Sequence, residues 1–143
     1  MYATYTFYTT SYYGSKIAEA DWPKYGTKAS DFMDFATCDS LRDNMPTDTT
    51  AQDRIKKATC AVADAMKDID DRKAITASAG TASGAIKSIS SGGESITYQT
   101  SRIDEVITSG ENAIRAYLYQ SMHLYMSNVV DDNGRSYLYE GID

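Results

Sequence analysis

Proton transfer near neutral pH needs a group such as imidazole, and the chain holds one histidine, His123, set between Met122 and Leu124. A lone imidazole beside no nucleophile motif reads as a structural residue near a helix end. None of the many serines sits in GxSxG, and Gly80 to Gly93 contains neither a P-loop nor a GxGxxG pattern to cradle phosphate. Cys38 and Cys60 form no CxxC pair, and with His123 as their one possible imidazole partner they read as buried free thiols, not zinc ligands.

Two acidic groups could hold a cation. Asp68, Asp70 and Asp71 lie at the C-terminal end of a helical stretch and run into Arg72 and Lys73, the pattern of a solvated helix end. From Val129 to Glu140, the residues Asp131, Asn133, Gly134 and Glu140 fall on ligand and turn positions of an EF-hand loop, but Val129 offers no side-chain ligand at the first position. A type I′-like turn at Asn133-Gly134 explains those residues more simply. The expectation is therefore no catalytic residue, no cofactor and no metal.

Nucleic-acid readout has little to work with. The densest cationic group, Arg54, Lys56 and Lys57, shares its helix with Asp53 and Asp64. Lysine plus arginine number 14 against 20 aspartate plus glutamate, a net charge of −6, so most of this surface repels phosphate. The opening Met1-Tyr2-Ala3-Thr4-Tyr5-Thr6-Phe7 lacks the charged and apolar regions of a signal peptide, and no stretch approaches the roughly 20 apolar residues of a bilayer span. At 143 residues, 42% hydrophobic and 24% charged, the composition is that of one ordinary globular chain. Its oddity is 12 tyrosines beside 3 phenylalanines, which suits either a partly wet core or contact surfaces.

The elements that position these residues read as mainly α: a small bundle of about four to five helices with a β-hairpin insertion and an extended C-terminal tail. Thr4 caps a short aromatic helix carrying Tyr5, Tyr8 and Tyr12, with Gly14 as its C-cap. Asp21 caps a second helix with Pro23 in its first turn and Trp22, Tyr25, Ala29, Phe32 and Ala36 on its apolar face. Asp39 to Asp48 reads as a loop before a new cap at Thr49 or Thr50. The central helix runs from about Ala51 to Asp70, with Ile55, Ala58, Val62, Met66 and Ile69 as its stripe.

From Ala77 to Ser101 serine, threonine, glycine and alanine dominate. Within it a hairpin at about 85–99 is expected, with Ile86 and Ile89 before Ser91-Gly92-Gly93-Glu94, and Ile96 and Tyr98 after it. Ser101 with Asp104 opens another helix, interrupted at Ser109-Gly110 and continued through Ala113, Ile114, Tyr117, Leu118, Ser121 and Met122. Residues 1–130 thus form a helical domain and 131–143 a tail, either frayed or docked, bearing Tyr137, Leu138 and Tyr139.

Taken in order, Tyr2-Ala3-Thr4 with Tyr8, Tyr12 and Gly14, then Ala29-Ser30 with Asp34 and Thr37, then Ile55-Lys56-Lys57-Ala58-Thr59-Cys60-Ala61-Val62-Ala63-Asp64, resemble the first three helices of the head-tail connector proteins of long-tailed bacteriophages, also called adaptor or head-completion proteins. Ile86 to Tyr98 is similar to that family's serine- and glycine-rich hairpin, and Tyr117-Leu118 with Leu124-Tyr125 and Val129 to its closing helix and turn. Met122-His123, Ser127-Asn128 and the extension from Asp131 depart from the pattern.

The resemblance implies a non-catalytic virion protein of the neck, made in the host cytoplasm, forming a homo-oligomeric ring, commonly of about twelve copies. Such a ring would lie between the portal protein and a stopper or tail-completion protein, with DNA passing through without sequence-specific binding and no membrane involved. On that reading Ile86, Ile89, Ile96 and Tyr98 make subunit or neck contacts, and Tyr137, Leu138 and Tyr139 dock the tail on the portal. Two alternatives remain at this point: another neck or tail-completion protein on the tail side, and a small regulatory helical protein-binding module.

Overall fold

The computed structural model describes residues 1–79 and 103–138. These are mainly helical, and they pack as two compact units, Met1–Lys67 with Leu118–Asp143, and Asp68–Tyr117. The hairpin expected at 85–99 lies outside the described residues, among which extended pairing is limited to an antiparallel bridge between Val130 and Ser136. No helix among the described residues is long and apolar enough to cross a membrane.

In the first unit, α1 spans Tyr5–Thr10, started by Thr4, whose hydroxyl accepts the Phe7 N–H at 3.1 Å. Gly14 does not cap it. The left-handed residue after α1 is Tyr13, at φ 62°. Glycine is required at 14 for space, because a Cβ there would stand 2.1 Å from Cε1 of the buried Tyr8 ring.

A 3-10 turn, Glu19–Asp21, leads into α2, Trp22–Ala36, with Pro23 in its first turn as expected. Its buried stripe is Trp22, Tyr25, Gly26, Ala29, Ser30 and Met33, while Phe32 and Ala36 are half-buried, so the apolar face is rotated from the one the sequence spacing suggests. The polar members are satisfied within the helix: the Ser30 hydroxyl donates to Gly26 O at 2.8 Å and the Thr37 hydroxyl to Met33 O at 2.8 Å. After two left-handed residues, Cys38 and Asp39, the expected loop contains a short helix, α3, Ser40–Asp43, which buries Leu41.

Helix α4, Thr49–Ala79, is longer than its apolar stripe suggests. Asp48, not a threonine, caps it, its carboxylate accepting the Ala51 N–H at 2.8 Å. Ile55, Ala58, Val62 and Ile69 are buried as expected and Met66 is half-buried, but Thr59, Cys60 and Ala63 are buried too. Small side chains on that second face let neighbours pack closely on both sides of the helix.

In the second unit, residues 103–109 form α5, ended by Gly110 at φ 100°, where the sequence places its interruption. A bidentate pair from Arg72 to Asp104, at 2.5 and 2.8 Å, ties α5 to α4. Helix α6, Glu111–Met126, begins in this unit and ends in the first, to which its buried Leu118, Met122 and Met126 belong.

Candidate functional site

The first turns of α4 are flanked by two clefts in the first unit. The larger, about 330 Å³, is lined by Pro46, Asp48, Thr50, Ala51 and Arg54, and across from them by Asn128, Val130, Asp131 and Asp132. The smaller, about 260 Å³, is lined by Tyr2, Met45, Gln52, Ile55 and Lys56, whose ammonium sits 5.5 Å from the centre of the Phe7 ring. Both are open and of mixed character, which suits contact with another polypeptide better than enclosure of a small ligand.

The N-terminal segment is positioned by phenols. The Tyr8 O–H donates to Asp64 at 2.7 Å and its oxygen accepts the Lys16 and Ile17 N–H groups at 3.0 and 3.1 Å. Its ring lies 4.7 Å from that of Trp22, stacked, and Trp22 Nε1 donates to Ala3 O. Tyr2 donates to Asp34, and its N–H to the Ser30 hydroxyl at 3.0 Å. Burial, then the hydrogen bond to a carboxylate, pushes the Tyr2 and Tyr8 phenols well above their ordinary range. Burial pushes the Cys60 thiol up to about 12, with Asp64 adding to the effect. That thiol is inert packing; Cys38 is the exposed one.

The tail is docked. Val129, Tyr137 and Leu138 are buried, at 1%, 1% and 5% exposure. The Tyr137 O–H donates to Asn44 O, and Asp132 accepts the Thr47 N–H and O–H at 2.9 and 3.1 Å. Burial, with Asp131 and Asp132 nearby, pushes the Tyr137 phenol up to about 12. Only Gly134 of the turn has positive φ, 80°, so the expected type I′ geometry, which needs two such residues, is not formed. The bonds Gly134 N–H to Asp131 O at 3.0 Å and Asp131 N–H to Arg135 O at 2.8 Å fit a type I turn with a glycine bulge.

Of the residues singled out from sequence, Tyr137 and Leu138 are therefore used in this chain's own packing. Ile86, Ile89, Ile96, Tyr98 and Tyr139 lie outside the described residues. The Asp131 carboxylate accepts the Asn133 and Arg135 N–H groups, at 2.8 and 2.9 Å. Among the described residues no group of three His, Cys, Asp or Glu side chains is placed to hold a metal ion. Asn44 and Thr47, which receive the tail, carry no local mark of partners 93 and 85 residues away, whereas the Asp48 cap is a local bond to the Ala51 N–H that competes in the sequence with the neighbouring Thr49 and Thr50.

Compared with models of known protein families, with characterised proteins and with solved structures, the chain matches none.

Proposed function

We propose that this chain is a structural virion protein that forms a ring adaptor between a portal and a stopper or tail protein, leaving a channel for DNA. The carrying observation is the order of elements in the first unit: a short aromatic helix, a tryptophan-led helix, the single-turn α3, a long central helix, then a closing helix and turn. Apart from α3, that is the order the resemblance to head-tail connectors implies. The exposed Tyr13, Phe35 and Leu124, at 82%, 64% and 73%, offer apolar area to neighbouring polypeptides.

In this reading the chain does no chemistry. It works in the virion neck after assembly in the host cytoplasm, and its net charge of −6 lets DNA slide past where a basic wall would hold it. A hairpin at 85–99, through Ile86, Ile89, Ile96 and Tyr98, makes the subunit or neck contacts. Tyr139 is left as the portal-facing member of the tail trio, since the other two are packed inward.

Electron microscopy of the protein mixed with its cognate portal ring tests this. The expected result is an added layer of matching rotational symmetry. A bare portal, with this protein still monomeric, overturns it.

A further inference from the structure

Asn133-Gly134 stands at the tip of the tail turn, with both residues exposed. A Cβ placed at Gly134 meets nothing within 4 Å, so no packed side chain blocks the peptide plane. An asparagine followed by glycine pairs an electrophilic side-chain amide with the least hindered main-chain nitrogen a protein can offer. We propose that this dipeptide is a covalent modification site, at which the chain deamidates itself and irreversibly unlatches its own tail. This inference is independent of the ring-adaptor reading.

The chemistry needs water alone. The Gly134 nitrogen loses its proton to solvent and attacks Cγ of Asn133, forming an N–Cγ bond and closing a five-membered succinimide. The bond from Cγ to the side-chain nitrogen breaks, and that nitrogen leaves as ammonia. Water then adds to either imide carbonyl. Opening at Cγ gives aspartate, and opening at the Asn133 main-chain carbonyl gives isoaspartate. One water enters and one ammonia leaves, with no change of oxidation state.

The turn geometry gates the first step. The Gly134 N–H is directed at Asp131 O, at 3.0 Å, so the nucleophile is engaged. On either side of it the Asn133 and Arg135 N–H groups both donate to the Asp131 carboxylate, at 2.8 and 2.9 Å, and Asp131 N–H donates to Arg135 O at 2.8 Å. All four bonds converge on Asp131. Attack on Cγ requires this local set to open, and exposed hydrogen bonds without packing are the kind that open without global unfolding.

The product does not fit back. Isoaspartate puts one additional carbon, about 1.5 Å of contour, into the main chain between residues 133 and 134. That lengthens the loop between Val130 and Ser136, whose bridge closes it, and the next two residues are the buried Tyr137 and Leu138. Aspartate, with the ordinary backbone, leaves the bridge in register.

The test is ageing of the full chain at mildly alkaline pH, with residue 133 followed by peptide mass and by separation of isoaspartyl from aspartyl products. Asp131→Ala, which removes the carboxylate acceptor, should react about tenfold faster than the native chain. Asp131→Asn, which keeps an acceptor oxygen, should stay near the native rate and controls for disruption of the fold. Chains carrying isoaspartate should lose hydrogen-exchange protection at Tyr137 and Leu138, while Asn133→Asp keeps it. The proposal is overturned if residue 133 does not react in the native chain or in Asp131→Ala. A native chain as reactive as the urea-unfolded one, or isoaspartyl chains with an intact tail, overturns it equally.

Discussion

The N-terminal segment and the C-terminal tail are both pinned to the first unit through a tyrosine hydroxyl, yet the two attachments differ in kind. Tyr8 is 0% exposed, donates to a carboxylate and accepts two main-chain N–H groups inside a stack of aromatic rings. Tyr137 is as deeply buried but donates to one main-chain carbonyl, and the bonds beside it, from Thr47 to Asp132, are exposed to water. Enclosed, mutually supporting bonds resist loss one at a time, whereas exposed ones compete with solvent at every opening. The first attachment is part of the core. The second is a latch.

The sharpest way to break this contrast is to remove the Tyr8 ring. Tyr8→Ala should lower the unfolding free energy by about 4 kcal/mol, the usual cost of emptying a large aromatic site, read from urea denaturation. Gly14→Ala attacks the same contact from outside. Its methyl group would fall 2.1 Å from Tyr8 Cε1 on a ring held by Trp22, so a loss of about 2 kcal/mol is expected. A loss below half a kcal/mol in both would show that the aromatic segment is peripheral.

How far each attachment can be read in the sequence follows from the range of its bonds. The Thr4 cap, the proline-led start of α2, the Ile55, Ala58 and Val62 stripe and the break at Gly110 all rest on patterns within a few residues, and all are present. Gly14 was recognisable as a required glycine, but for the wrong reason, since its constraint comes from a packed ring and not from its own φ. Phe32 and Met33 exchange places because both are apolar, and only the neighbouring elements choose which turns inward. The same cause leaves the tail undecided between frayed and docked in the sequence: Asp132 and Thr47 are 85 positions apart, and Tyr137 and Asn44 are 93 apart. α3 is a single turn held by buried Leu41, below the length at which periodicity carries a signal.

Alkaline titration sharpens the contrast further. The Cys60 thiol rises from an ordinary 9.0 to about 12, and the Tyr137 phenol from 10.0 to about 12. In both, the folded chain holds its proton more tightly than the unfolded one. Their contribution is therefore fully present below the unfolded values and is lost as pH rises through the folded ones. Stability should be flat with respect to these groups up to about pH 9, fall above it, and have lost their share by about pH 12. The Tyr8 phenol is raised as well, by burial first and then by its bond to the Asp64 carboxylate. In a spectrophotometric titration Tyr137→Phe and Tyr8→Phe should each remove a phenol that ionises above the ordinary tyrosine range. Loss of an ordinary phenol in either variant would mean that the hydroxyl removed is open to water.

The smallest effect is the most discriminating. Asp132→Ala deletes two exposed hydrogen bonds from Thr47, and replacement by water limits the global loss to about 0.5–1 kcal/mol. Local consequences should be disproportionate, with hydrogen exchange at Tyr137 and Leu138 quickening while the core stays closed. Cys60 supplies the control, since it lies buried on α4 with Tyr12 among the groups that feel it, and Cys38 is exposed. Native chain should take up one thiol reagent, at Cys38, and Asp132→Ala should do the same. Tyr8→Ala should open Cys60 as well. If Asp132→Ala exposes Cys60 to the same degree, the tail and the N-terminal segment release together, and the distinction between core and latch fails at its root: the two attachments would then be one cooperative unit, differing in chemistry but not in stability.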